Sequence, residues 1–261
     1  MELIAVLLSG LIALTSPINL GGEALLAKQI KKQFVAVEQL AVRIDNAPNY
    51  QILQGKLDHV RIAAQGVYPL KDLRIDRLEI ETDPIALQGL KAKLAQPLQA
   101  GVKVVITEAD LNHALQSPAL IQRLKQFLNK ALGSQAAGIV DRYQLQSLRC
   151  QFLSDRRVQF DIDLTETGYA EILTFKIVTD VHVEDGQAIQ LSNTEITANG
   201  QPLFAPLTSR LVAGLNQSLT VDRLEKSGIT ARILQLDFSQ KQATIAAFAQ
   251  VRPEALNRRS K

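Results

Sequence analysis

The amino-acid sequence predicts an α+β fold, a strongly curved antiparallel sheet wrapped around long amphipathic helices. Three observations carry that expectation. Strand-like segments follow one another with only short turns between them, which suits antiparallel meanders rather than βαβ units. Other segments repeat their apolar residues at helical spacing. One strand-like segment, residues 171–183, is thirteen residues long, and a strand well beyond the usual length of about 5–6 residues has to bend or coil.

At the amino terminus, residues 3–14 (LIAVLLSGLIAL) carry no charge over twelve positions and run into Thr15-Ser16-Pro17. A membrane-spanning helix needs about 20 apolar residues. The leader, residues 1–18, therefore suits a signal peptide or a membrane anchor. Glu2 stands where a signal peptide would have its basic start, and a buried first helix is the other reading. Residues 22–37 set Leu26, Ile30, Phe34 and Val37 at helical spacing, with Lys28, Lys31 and Lys32 on other faces. A strand follows, in which Leu40, Val42 and Ile44 alternate with Ala41 and Arg43, and the turn-forming run Asp45 to Asn49 ends it. Further strands are expected at 57–64, 73–81 and 102–106, divided by Gly66, Pro69, Pro84, Gly89, Pro97 and Gly101; between them only 86–94 looks helical.

Helices come next. Thr107-Glu108-Ala109-Asp110 has the form of a capping box, with Asp110 in place of the usual Glu. Ser117-Pro118 is a second start signal, opening a helix that stops at Gly133 and carries Leu120, Ile121, Leu124, Phe127 and Leu128 in one stripe. Strands return at 158–165 and 171–183, both strictly alternating, and Asp185-Gly186 marks a hairpin into 189–197. Asn199-Gly200-Gln201-Pro202 breaks the sheet, and 203–219 returns to helical spacing through Leu203, Leu207, Leu211 and Leu215. A last strand pair, 229–238 and 243–251, closes a single domain spanning 19–253, and the basic end, 254–261, reads as a disordered tail. Two strands-then-helix blocks, 35–132 and 145–219, succeed each other without any residue-level repeat.

Composition narrows the function. The chain is 46% hydrophobic and 21% charged, which places it among folded domains and away from the disordered class. Its net charge of +3 is scattered along the chain, too weak for a nucleic-acid protein. One cysteine, Cys150, allows no internal disulfide, and with three scattered histidines it assembles no thiolate zinc site.

Familiar catalytic arrangements have bland counterparts here. The stretch from Gly133 to Gly138 lacks the Lys-Ser/Thr of a phosphate loop and reads as a helix stop and link. There is no G-x-S-x-G elbow. Asp161 and Asp163 share a strand face as a divalent-ion pair would, but so do Gln159 and Thr165, as on any solvated sheet surface. His113 could serve as a general base, yet no nucleophile accompanies it in its local motif. Arg61, Lys71, Arg74 and Arg77 are interleaved with Asp58, Asp72, Asp76 and Glu79, a mixed-charge face. No catalytic residue, metal-ligand set or cofactor motif is assigned.

What remains abundant is apolar surface at regular spacing. It is core in most proteins. Its functional version is a groove between helices and a curved sheet that takes up acyl chains, since each buried methylene is worth about 0.8 kcal/mol without any polar motif. The candidate lipid-facing residues are Leu26, Ile30 and Phe34, then Leu124, Phe127 and Leu128, then Leu207, Leu211 and Leu215, with Phe175 on the long strand.

The segments 37–48 (VEQLAVRIDNAP) and 53–62 (LQGKLDHVRI), followed by Leu73-Arg74-Ile75-Asp76, 81–87 (ETDPIAL) and 105–118 (VITEADLNHALQSP), resemble the LmeA-like phospholipid-binding family, in the long form common in photosynthetic bacteria. The resemblance runs from about residue 21 to 251 in matching order. It implies a non-catalytic envelope protein with a strongly curved sheet around a long helix, similar to tubular lipid-binding domains. It further implies a phospholipid or other acyl lipid as partner, contact with a membrane surface, and a periplasmic or membrane-associated location. Its motifs are structural and carry over no numbered binding residue. The competing expectation is a structural or assembly factor at a membrane, whose apolar faces are all core or partner interface.

Overall fold

In the computed structural model the described residues are 22–47, 56–88, 93–132, 142–153, 156–239 and 241–254. The expected leader, the Gly133–Gly138 link and the end of the basic tail lie outside them. Among the described residues the chain is mostly antiparallel sheet with four α-helices and no closed barrel, an α+β protein. No described helix is long and apolar enough to cross a membrane. Two compact units are distinguished: one comprising residues up to 106 with 221–235 and 244–261, the other comprising 107–220 with 236–243.

Apart from Thr107 and residues 236–243, the first unit holds a six-stranded sheet in the order β1-β3-β4-β7-β14-β13. Its strands are β1 (Ala36–Asp45), β3 (His59–Leu70), β4 (Leu73–Thr82), β7 (Leu98–Thr107), β13 (Ile229–Ser239) and β14 (Gln242–Val251). Burial alternates almost perfectly along β3 and β4. Val60, Ile62, Leu78 and Ile80 form one buried face, and the residues between them reach water, as period-two geometry requires. Helix α1 (Gly22–Lys31) precedes β1. It buries Leu26 and Ile30, and the Ile44 N–H at the sheet edge donates to Glu23 Oε1 at 3.0 Å. Gly66 takes φ +58° opposite Glu38. With no Cβ there, Glu38 lies across β3 and accepts from Arg74 Nε and Nη2 at 2.9 and 3.0 Å. Those donors hold the Glu38 carboxyl below its usual range.

Where a helix is expected over 86–94, the described residues 86–88 and 93–94 are strands. Residues 85–88 form β5 and Lys93–Leu94 form β6, in a small sheet with β2 (Lys56–Leu57). Ile85 and Leu94 are buried and Leu87 pairs with Leu94. Cross-strand pairing thus overrides the helix propensity of the alanines and leucines in that stretch.

The second unit is built on a five-stranded sheet in the order β12-β11-β10-β9-β8. Its strands are β8 (Tyr143–Phe152), β9 (Arg157–Glu166), β10 (Ile172–Glu184), β11 (Ala188–Ala198) and the two-residue β12 (Gln201–Pro202). The β10–β11 register slips between Val178 and Asp180: Asn193 and Thr194 of β11 stand opposite Thr179 alone, a bulge on β11 at which Asn193 takes φ 47°. Asp185 and Gly186 adopt the positive φ of a tight hairpin turn, and so do Asn199 and Gly200. Instead of breaking the sheet, Asn199-Gly200 turns β11 back into β12. Helices α2 (Glu108–Ala114), α3 (Pro118–Leu132) and α4 (Ala205–Ser218) complete the unit. The Thr107 capping box forms as written: Asp110 N–H donates to Thr107 Oγ1, and that hydroxyl donates to Asp110 Oδ2 at 2.7 Å.

Candidate apolar lipid-binding face

The register of the five-stranded sheet assembles its inner face. Directly opposed residues of antiparallel strands share a face, so Leu145, Leu164 and Leu173 form one row. Leu148, Ile162, Phe175 and Ala198 form the next, and Cys150, Phe160, Ile177 and Ile196 a third. Phe152, Val158 and Thr179 form the fourth. All but Thr179 are apolar. On the opposite face the same strands present Thr165, Asp163, Asp161 and Gln159 with their polar neighbours.

Burial changes along these rows. Cys150, Val158, Thr179 and Ile196 are buried at one end. Leu145, Leu164 and Leu173, at the end where β9 turns into β10, are only half-buried, as are Ile162 and Phe175. Helix α4 packs along β11 and against α3, yet none of its residues is buried. Leu211 and Leu215 are half-buried and Leu207 is 46% exposed. A helix that stays in place with so little burial needs other anchors. Asn216 supplies one, donating from Nδ2 to the Leu191 carbonyl at 3.1 Å and accepting the Leu191 N–H at 2.9 Å. The other edge of the sheet is closed the same way by α2: Asn112 donates to the Cys150 carbonyl at 2.8 Å and accepts its N–H at 2.7 Å, and Glu108 accepts the Phe152 N–H. Two asparagines thus stand in for the missing neighbouring strands.

Electrostatics separates the two faces. On the polar face Asp163 accepts from Ser147 and Thr174, which hold its carboxyl below the usual range. Asp180 is held low by Asn193 and Arg157. At the inner face the Cys150 thiol is pushed up to about 12 by burial, with the Glu108 charge adding to it. It is therefore protonated at neutral pH and a poor nucleophile.

The first unit offers a different surface. An open cleft of about 720 Å³ crosses the water-facing side of its six-stranded sheet, with Ala41, Ala63, Gly101, Ala246 and Leu234 among its lining. Its three cations are engaged by carboxylates: Arg43 with Asp45, Arg61 with Glu81 and Asp45, and Lys103 with Glu79. Beside the alanines and the glycine its lining includes Val42, Ile62, Ile80 and Val102, so it is a second apolar surface, open and rimmed by paired charges.

Of the residues singled out from sequence, Leu26, Ile30 and Phe34 lie buried in the first unit. Leu124, Phe127, Leu207, Leu211, Leu215 and Phe175 all belong to the second unit, and each keeps part of its side chain exposed. Leu128 lies in α3. Helical spacing could not find Leu145, Ile162, Leu164, Leu173 and Ile177, because their alignment is a matter of strand register. Nor could it find the two clamping asparagines. Among the described residues no group of three or more His, Cys, Asp or Glu side chains is placed to hold a metal ion.

A family model described as LmeA-like phospholipid-binding matches residues 15–248, most of the chain. No curated protein and no solved structure matches it.

Proposed function

Because the chain belongs to the LmeA-like phospholipid-binding family, we propose that it binds phospholipid without chemistry, the acyl chains lying along the inner face of the five-stranded sheet, under α3 and α4. One observation carries this reading. The apolar rows of that face are complete, but toward the β9–β10 end they are only half-buried, and α4 above β11 buries nothing fully. Such surface is costly in water, at about 25 cal/mol per Å². An acyl chain supplies the missing apolar contact, and every methylene it lays down gains about 0.8 kcal/mol. The gradient also gives the chain a direction, with its tail toward Cys150 and Val158 and its headgroup toward Leu164 and Leu173. A face of this kind serves lipid transfer or envelope maintenance, in the periplasm or at an envelope membrane.

The test is an organic extract of the purified protein, analysed by mass spectrometry and backed by uptake of a fluorescent phospholipid. Phospholipid near one molecule per chain is the expected result. Protein that is lipid-free and takes up none contradicts the reading and supports an assembly factor whose apolar face is a protein interface.

A further inference from the structure

We propose that the inner face of the five-stranded sheet measures its ligand, the end of the β13–β14 hairpin being the wall that stops acyl chains at about 16 carbons; this rests on the lipid-binding reading. Residues 236–243, from that hairpin, belong to the second unit. Phe238 sets its ring against Phe152, with centroids 5.2 Å apart and planes at 51°. Phe152 stands in the fourth apolar row, beside Val158 and Thr179. Glu108 ties the two together: its N–H donates to the Lys241 carbonyl at 2.8 Å, and its carboxylate accepts the Phe152 N–H at 2.8 Å. Leu236 and Ala243 are buried. The hairpin is thus fastened against the far end of the rows.

Burial marks the track that this wall ends. On the two central strands Leu164 and Leu173, Ile162 and Phe175, then Phe160 and Ile177 are half-buried, and the next pair, Val158 and Thr179, is buried. On the flanking strands Leu148, Cys150 and Ile196 are buried. The partly open apolar surface therefore runs lengthwise, down β9 and β10. Its far end suits a terminal methyl and not a headgroup. The buried Thr179 hydroxyl already lies 2.7 Å from Thr194 Oγ1 and 3.2 Å from the Ser192 carbonyl oxygen, so it has no bond left over for a polar ligand.

The length follows from covalent geometry. Residues on one face of a strand recur every two positions, or about 6.7 Å, so the three half-buried rows offer about 20 Å. An extended hydrocarbon chain, with C–C bonds of about 1.52 Å at about 111°, advances about 1.25 Å per carbon. About 16 carbons therefore fill the track. A shorter chain leaves the third row, at Phe160 and Ile177, uncovered. A longer one is stopped at Phe238, so its surplus methylenes emerge beyond Leu164 and Leu173 into water, and each lowers binding about fourfold.

The test equilibrates the protein with phosphatidylcholine vesicles carrying a mixture of lysophosphatidylcholines of graded chain length, from decanoyl to arachidoyl. The protein is re-isolated and extracted, and mass spectrometry compares the species bound with those left in the vesicles. Enrichment should peak at about 16 carbons and fall about tenfold or more by about 18. Ile177→Trp fills the third row and should move the peak down by about five carbons, the length of one row. Phe238→Ala removes the ring that faces Phe152 and should move the peak up by about two to four carbons. Lipid bound without preference for length, or a peak that stays in place in the folded variants, overturns the wall and leaves the lipid reading standing. Wild-type protein that takes up neither lysophosphatidylcholine of any length nor the vesicle lipid overturns the lipid reading itself, and the wall with it.

Discussion

The six-stranded sheet of the first unit and the five-stranded sheet of the second have nearly the same binary pattern and end up with different burial. Along β3 every second side chain from Val60 to Ala64 is buried and every other one reaches water. Along β9, from Gln159 to Glu166, and along β10, from Leu173 to Val178, the apolar half is no more than half-buried. In β3 and β4 the pattern is used up by folding, whereas β1 and β14 of the same sheet are mostly half-buried, as β9 and β10 are. In the second unit the half-buried rows continue across neighbouring strands, and that surface is the one proposed for lipid.

The largest expected effect separates these roles. Ile75→Ala empties a fully buried site and should cost about 2–5 kcal/mol in a denaturant melt. The lipid bound per folded molecule should not change. Phe175→Ala, on the half-buried face, should cost about 1–2 kcal/mol of stability. It should nevertheless lower phospholipid affinity about tenfold, because the lost apolar contact is with ligand as much as with protein. A reversal of this order in the two assays would break the comparison.

The edges of the five-stranded sheet sharpen it further. Asn112 and Asn216 make equivalent pairs of bonds, but Cys150 is buried and Leu191 is only half-buried. Asn112→Ala leaves groups unpaired away from water and should cost about 2–3 kcal/mol; Asn216→Ala, whose groups water can reach, should cost about 1 kcal/mol. Thermal unfolding of both variants measures the difference. Equal losses would mean that burial does not differ along this face.

Smaller effects follow from titration. The folded Cys150 thiol titrates near 12, above its ordinary value of 9.0, so its contribution to stability is complete below about pH 9 and falls as pH rises toward 12. Cys150→Ala should remove that alkaline component, and native protein should resist iodoacetamide. At the acid end Asp163 works in the opposite sense. Its lowered folded pKa contributes above the ordinary carboxylate range and is lost as pH falls below about 4. Asp163→Asn should slightly flatten the acid limb of a stability–pH curve.

Much of the fold could be read in the residues, because its signals are local. The Thr107 cap, the Ser117-Pro118 helix start, the Asp185-Gly186 turn and the thirteen-residue strand all formed where neighbouring residues specify them. What failed depended on partners distant in sequence. Residues 85–88 and 93–94 became strands because they pair with each other and with β2. The β13–β14 hairpin joins β7 in the first sheet, which spacing alone does not encode. The candidate site divides in the same way. Helical stripes pointed to Leu124, Leu211 and Leu215, but the sheet rows needed register.

The central claim is that acyl chains lie on the five-stranded sheet, and photo-crosslinking tests it most directly. A phospholipid carrying a diazirine near the end of one acyl chain would be loaded, illuminated and mapped by peptide mass spectrometry. Adducts are predicted on β9, β10 and α4, around Ile162, Phe175, Ile177 and Leu211. Adducts confined to the cleft of the first unit, at Ala41, Ala63, Gly101 or Leu234, would contradict it.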